Sequence, residues 1–302
     1  MTTVSEPLRA QATRRVAGRR RSRRRLTRRT VSGVLLTLAA LLVAAFAVFP
    51  FYWMVITALK PSSEIFTRTP LWWPHHATFS QFRSALVGQG MGRYFLNTLI
   101  VAGCTVVLST IAAGLAALAV SRLRFRFRTS VLVLVLVVQM VPLEALVIPL
   151  FIMMNQAGLY NTLASLVIAY ITFALPFAIW MLKGFYDAIP TELEDAAMVD
   201  GCTRVGAYWR ILVPLVAPGL VATSIFAFIE AWNEFLLALT FLQDDSKFTL
   251  PIALNAFIGV EGQTQWGPLM AASAVFTLPV LVFFILVQKR LAGGLVQGAV
   301  KT

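Results

Sequence analysis

The sequence predicts an all-α integral membrane protein with six transmembrane helices and both termini in the cytoplasm. Composition is the first reason. Of 302 residues 58% are hydrophobic and 13% charged, and the mean hydropathy of +0.77 means more apolar surface than a soluble core of this size can bury. The second reason is length: six segments stay apolar long enough to cross about 30 Å of hydrocarbon, which takes roughly 20 helical residues. The third is charge, because arginine and lysine gather at alternate ends of those segments and basic loops remain in the cytoplasm.

Residues 1–32 read as an unstructured cytoplasmic tail with Arg14, Arg15, Arg19, Arg20, Arg21, Arg23, Arg24, Arg25, Arg28 and Arg29. The tail carries most of the excess behind the net charge of +13, and no aromatic residue stands among its arginines to stack on bases. Nucleic-acid binding is therefore excluded, and attraction to anionic lipid takes its place. The first span is 33–56, opening the six-helix domain 33–302. An outer loop, 57–92, follows, in which Trp72 and Trp73 are interfacial anchors. His75 and His76 are adjacent, a spacing poorly suited to chelating one ion, so no metal site is expected.

The second span, 96–120, pairs Ala112 with Ala116 and Ala113 with Ala117, small residues at helical spacing that favour close packing. Arg122, Arg124, Arg126 and Arg128 hold the next loop inside. The third span, 130–153, contains Glu144 between Pro142 and Pro149; an intramembrane carboxylate either lines a gate or bonds a neighbouring helix. The uncharged loop 155–161 returns to the fourth span, 162–182. A cytosolic insert, 183–212, precedes the fifth span at 213–242. The sixth, 269–288, is closed by Lys289 and Arg290 on the inner side.

The insert is the most informative stretch. Thr191 and Glu194 have the spacing of a capping box, Gly201 supplies a left-handed stop, Thr203 caps a second short helix and Pro214 marks its junction with the fifth span. Near the outer end of that span Trp232, Asn233 and Glu234 offer an aromatic face, an amide and a carboxylate. These suit a carbohydrate path, and equally suit capping and packing of a helix end.

No Gly-x-x-x-x-Gly-Lys-Ser/Thr loop is present, and no nucleophile or carboxylate pair sits in a catalytic motif, so the chain reads as a non-enzyme. Cys104 and Cys202 imply no disulfide. A competing class, an ATP-independent secondary transporter or an integral membrane enzyme, needs its own coupling-ion site or reacting groups, and intramembrane charges are few.

The insert matches a family signature of Glu-Ala-Ala, three positions, Gly, then Ile-x-Leu-Pro, at Asp195, Ala196, Ala197, Gly201, Ile211 and Pro214, with Asp200 before the glycine and Glu194 beside Asp195. Asp195 stands where the family has Glu, and Val213 where it has Leu. Further blocks are Ala231–Phe241, Thr249–Pro251, Trp266–Ala272 and Gly294–Lys301. Together they make residues 33–302 resemble the sugar-importer permeases of the ATP-binding cassette (ABC) superfamily, in the branch of the second maltose permease subunit.

The resemblance implies a type I importer fold in the bacterial plasma membrane. It also implies a heterodimer with a sister permease, two cytosolic ATPase subunits and an extracytoplasmic solute-binding protein. The substrate would be a sugar, oligosaccharide or polyol moved by alternating access. No cofactor is expected in this chain, ATP and magnesium belonging to the ATPases. ATPase coupling falls to Glu194, Asp195, Ala196, Ala197, Asp200, Gly201, Ile211 and Pro214, and the substrate path or gate to Trp232, Asn233, Glu234 and Glu144.

Overall fold

The computed structural model describes residues 7–259 and 264–299, with side chains over 33–259 and 264–288, and every regular element among them is helical. The chain divides into two compact units, Met1–Val55 and Ile56–Thr302. The first consists of the helix α1 (Pro7–Ala58), whose final residues belong to the second unit. Within α1 the stretch Gly33–Ala58 is long and apolar enough to span. The segment 7–32, expected to lack regular structure, continues the same helix. Arginine is a good helix former, and an apolar span supplies the nucleus on which it extends. Residues 1–6, and the side chains of Lys289, Arg290 and the block 294–301, lie outside this description.

In the second unit two short helices, α2 (Ser62–Ile65) and α3 (Ser80–Arg83), occupy the first loop. The long helices α4 (Met91–Arg122) and α7 (Leu163–Asp187) pass the length and hydropathy requirements of a span. Between them lie α5 (Arg128–Gln139) and α6 (Leu143–Gln156), which qualify only together and are bent by 101° at the join. The predicted third span is thus two helices that meet at a sharp bend, the geometry of a broken span or of a re-entrant loop. Pro142, extended at ψ 137°, caps α6 and prevents Val141 from continuing α5, whereas Pro149 is absorbed inside α6 without a break.

After α8 (Glu192–Val199), the elements α9 (Arg204–Ala207) and α10 (Val213–Asn233) are joined through a π-helical turn, Tyr208–Leu212, into one 30-residue spanning helix. The expected junction at Pro214 is not a break. A proline cannot donate to the preceding turn, and the wider π turn just before it takes up the mismatch. The fifth span instead stops at Asn233 and resumes as the short α11 (Leu236–Phe241). The chain ends with α12 (Leu250–Asn255) and α13 (Trp266–Ala299), of which Trp266–Gln288 qualifies as a span.

The core of this unit is the packing of α4 against α7 and α10. Ala113, Gly114 and Ala117 on α4 are buried and let the backbones approach, with Leu182, Tyr186, Leu212 and Val216 filling the space around them. Ala113 and Ala117 are the alanine pair that packs, while Ala112 is exposed and Ala116 half-buried. Large apolar side chains such as Ile111, Leu115, Leu134 and Ile148 are exposed, as bilayer-facing residues are.

Polar side chains stitch the loops at one end of this bundle. The Asn97 amide donates to the carbonyls of Ser246 and Phe248, at 3.0 and 2.9 Å, and Thr98 Oγ1 accepts from Leu250 N at 2.8 Å. Asn161, left-handed at φ 58°, accepts from Gln243 N and Asp244 N, each at 3.1 Å, while its own N–H donates to Phe241 O. Arg122, Arg128, Asp187 and Glu194 meet at the opposite end.

Candidate functional site

The helix α8 begins with Glu192, Glu194 and Asp195, acidic residues that favour a helix N-terminus. It stops at Gly201, whose φ of +87° is the left-handed conformation expected of it. Gly201 N donates to Met198 O at 3.1 Å and Cys202 N to Ala197 O at 2.9 Å, the paired bonds of a Schellman stop. Thr203 is extended and accepts from Gly206 N at 3.1 Å, as a cap should. The capping box does not form. Thr191 is helical at φ −67°, ψ −23°, without a side-chain cap bond, and Glu194 turns to Arg122 instead. A guanidinium–carboxylate contact is stronger than a neutral backbone cap, and tertiary packing brings that guanidinium within reach.

This exchange sorts the insert into two faces. Glu194, Ala197 and Met198 face inward at helical spacing, while Glu192, Leu193, Asp195, Ala196, Val199 and Asp200 are exposed. Arg122 Nε donates to Glu194 Oε1 at 2.5 Å, and its Nη2 donates to the carbonyl of Ile189 at 3.0 Å. One residue earlier, Ser121 Oγ donates to Asp187 Oδ1 at 2.5 Å, and Asp187 also pairs with Lys183 and, at 4.0 Å, with Arg128. A cavity of about 370 Å³ lies between α4 and α8, lined among others by Leu118, Arg122, Glu194, Met198 and Tyr208. Ile211 is half-buried within the π turn and Pro214 is exposed in the first turn of α10.

Of the eight insert residues picked out in the sequence, then, Asp195, Ala196, Asp200, Gly201 and Pro214 are exposed, Ile211 is half-buried, and Ala197 and Glu194 are turned toward the chain itself. Arg122 was legible only as a marker of the inner side. The signal that identifies its second role is a basic residue closing a long helix in the same compartment as the acidic start of α8.

The second group separates on inspection. Trp232 is fully buried and stacks on Phe228 and Phe276, with ring centroids 5.2 and 5.1 Å apart, and Phe95 meets it edge-on at 6.0 Å. Its Nε1–H meets no acceptor among the described residues. Glu234 accepts from Leu237 N at 2.7 Å, Ala238 N at 3.1 Å and the Tyr170 hydroxyl at 2.6 Å. It therefore caps α11 and ties it to α7. Asn233 is exposed, donating to Ile229 O at 2.8 Å one turn back. Glu144, in the first turn of α6 just past the 101° break, is exposed and makes no hydrogen bond or ion pair among the described residues.

A family model described as "Binding-protein-dependent transport system inner membrane component" matches residues 105–296. The chain is 41% identical to the diacetylchitobiose uptake system permease protein DasC of Streptomyces coelicolor, over 84% of this chain and 92% of that one. It is 36% identical to the trehalose transport system permease protein SugB of Mycobacterium tuberculosis, over 86% and 94% of the two chains. Among solved structures, a bacterial ABC transporter involved in the import of the acidic polysaccharide alginate superposes with a TM-score of 0.73 at 22% identity. That superposition covers 86% of this chain and 96% of the other, and the shared feature is the fold.

Proposed function

The chain belongs to the inner membrane components of binding-protein-dependent transport systems, and on that premise we propose that it is one permease half of an ATP-driven importer for a sugar, oligosaccharide or polyol. A sister permease completes the pathway, a solute-binding protein delivers the substrate outside, and two cytosolic ATPases drive alternating access. The substrate class rests on relatives named for diacetylchitobiose and trehalose.

The observation that carries the reading is the outward face of the insert. Val199 is 86% exposed, Val205 67% and Trp209 63%, beside Asp195 and Asp200. Open apolar side chains on α8 and on the first turns of the spanning helix that follows it, with acids exposed on α8, fit a protein partner. ATP binding closes the ATPases, their motion displaces α8, and the spanning helices follow as rigid bodies. Of the four path candidates, Asn233 and Glu144 are the ones left to line it, since Trp232 and Glu234 are occupied with holding the helices together.

The reading requires the insert to be cytosolic and the loop 57–92 to be external. Single cysteines at Ser63 and Thr203, both exposed, in a background lacking Cys104 and Cys202, are expected to react with an impermeant maleimide from the outside and the inside respectively. Labelling of Ser63→Cys only from the cytosolic side overturns it. ATPase subunits and a sister permease are expected to co-purify with the chain, and the complex is expected to hydrolyse ATP faster with loaded binding protein.

Glu144→Gln keeps the shape and removes a charge with no partner among the described residues, so its effect on stability is within about 0.5 kcal/mol. Membrane abundance should be unchanged and sugar uptake reduced. Equal loss of both assigns Glu144 to helix association instead.

A further inference from the structure

We infer that Arg122 is a positioning residue for energy coupling, the bolt by which movement of α8 is delivered to the α4 span. The inference rests on the reading of α8 as the segment that docks the ATPase, and it concerns where the motion goes next. By chain connectivity, α8 hangs from α7 on one side and α9 on the other. Helix α4 is remote in sequence, yet its last residue grips both α8 and the turn that leads into it. The fork of Arg122 holds Glu194, inside the first turn of α8, and the carbonyl of Ile189, just before that helix begins.

Two donors of one planar group, one on the first turn of α8 and one on the turn leading into it, hold the start of the helix in place. Both side chains are largely shielded, 15% exposed for Arg122 and 22% for Glu194, and the apolar side chains of Leu118 and Met198 line the adjoining cavity. The contact is therefore screened less than a fully exposed pair. Ser121, the neighbour of Arg122, fastens the same helix end to Asp187 at the foot of α7. Since α4 packs against both α7 and α10, displacement entering at Glu194 reaches the three helices of the core together. Without Arg122 it would reach α7 through the turn 188–191, and α10 through the turn 200–203 and the packing of α8 on α9 and the π turn, with no direct side-chain link to α4 among the described residues.

The test uses the assembled complex in liposomes with loaded binding protein, comparing Arg122→Met, Arg122→Lys and the charge exchange Arg122→Glu with Glu194→Arg. Arg122→Met is expected to lower sugar uptake per ATP hydrolysed about fivefold. Arg122→Lys keeps the charge without the fork and should fall between. The exchange should recover most of the ratio lost by either single change. Spin labels at Arg124 and Val199 should show a broader distance distribution in Arg122→Met than in the parent, a readout independent of ATPase subunits.

An unchanged ratio with an unchanged distribution overturns the inference. So does an exchange worse than both single variants, because Glu194 would then be acting on another subunit. If Arg122→Met does not accumulate, the lysine variant and the exchange decide by the same criteria. If no ATPase subunit co-purifies with the unaltered chain, the functional reading fails, and the spin-label distances still decide whether Arg122 anchors α8.

Discussion

Gly201→Val is expected to cut uptake about tenfold with the spans still inserted, the equivalent of about 1.4 kcal/mol withdrawn from the docking conformation. A β-carbon at Gly201 would meet nothing within 4 Å, so the cost is not a clash. It comes from the backbone: at φ +87° an L-residue is strained by about 1–2 kcal/mol, and a β-branched one more than alanine. Relief of that strain turns the chain at 201 and breaks the bonds from Gly201 N to Met198 O and from Cys202 N to Ala197 O. The end of α8 then frays, and Val199 and Asp200 leave the outward face while Glu194, a turn and a half earlier, keeps its hold on Arg122. The measurement is uptake and stimulated ATP hydrolysis in the purified complex, with Gly201→Ala expected to be milder. Wild-type values for Gly201→Val would remove the insert from the transmission path.

Glu234→Ala should act in the opposite manner, lowering the amount of protein in the membrane and uptake in the same proportion. Three donors converge on this carboxylate, the N–H groups of Leu237 and Ala238 and the hydroxyl of Tyr170. A buried donor left without an acceptor costs about 1–3 kcal/mol, so even partial compensation leaves a loss on the order of 3 kcal/mol. That loss falls on the interruption between α10 and α11, next to the ring cluster centred on Trp232. Glu234→Gln retains one acceptor oxygen and should be intermediate. Tyr170→Phe leaves both backbone bonds in place and should be mild. Quantitative immunoblotting beside uptake separates the alternatives: full abundance with lost uptake in Glu234→Ala would return Glu234 to the substrate path.

What the sequence revealed and what it concealed follow one physical line. Hydropathy over about 20 residues is a sum along the chain, so the spans were legible with soft ends. Gly201, Thr203 and the pair Ala113 and Ala117 were legible because each expresses a local requirement: a left-handed turn, a cap or a close approach. Glu194 was misread as half of a capping box because its partner lies 72 residues away and only packing brings it within reach. Glu234 stayed ambiguous for the same reason, its decisive partner Tyr170 being 64 residues distant. Prolines 142 and 149 look alike in the sequence, yet only the first breaks a helix, and Pro214 breaks none because a π turn precedes it.

The bend between α5 and α6 also constrains how the protein is made. At 1.5 Å per residue, helices of 12 and 14 residues reach only about 18 and 21 Å, so neither half crosses the bilayer by itself. Only the pair together has the length to cross, and at 101° it forms a broken span or a re-entrant loop. The carbonyls and amides freed at the bend are intolerable against lipid until protein or water is there to receive them. Pocket-lining residues Thr172, Phe173 and Pro176, which face the break from α7, are synthesised after it. The protein surface that shelters the bend is therefore complete only once α7 has been made.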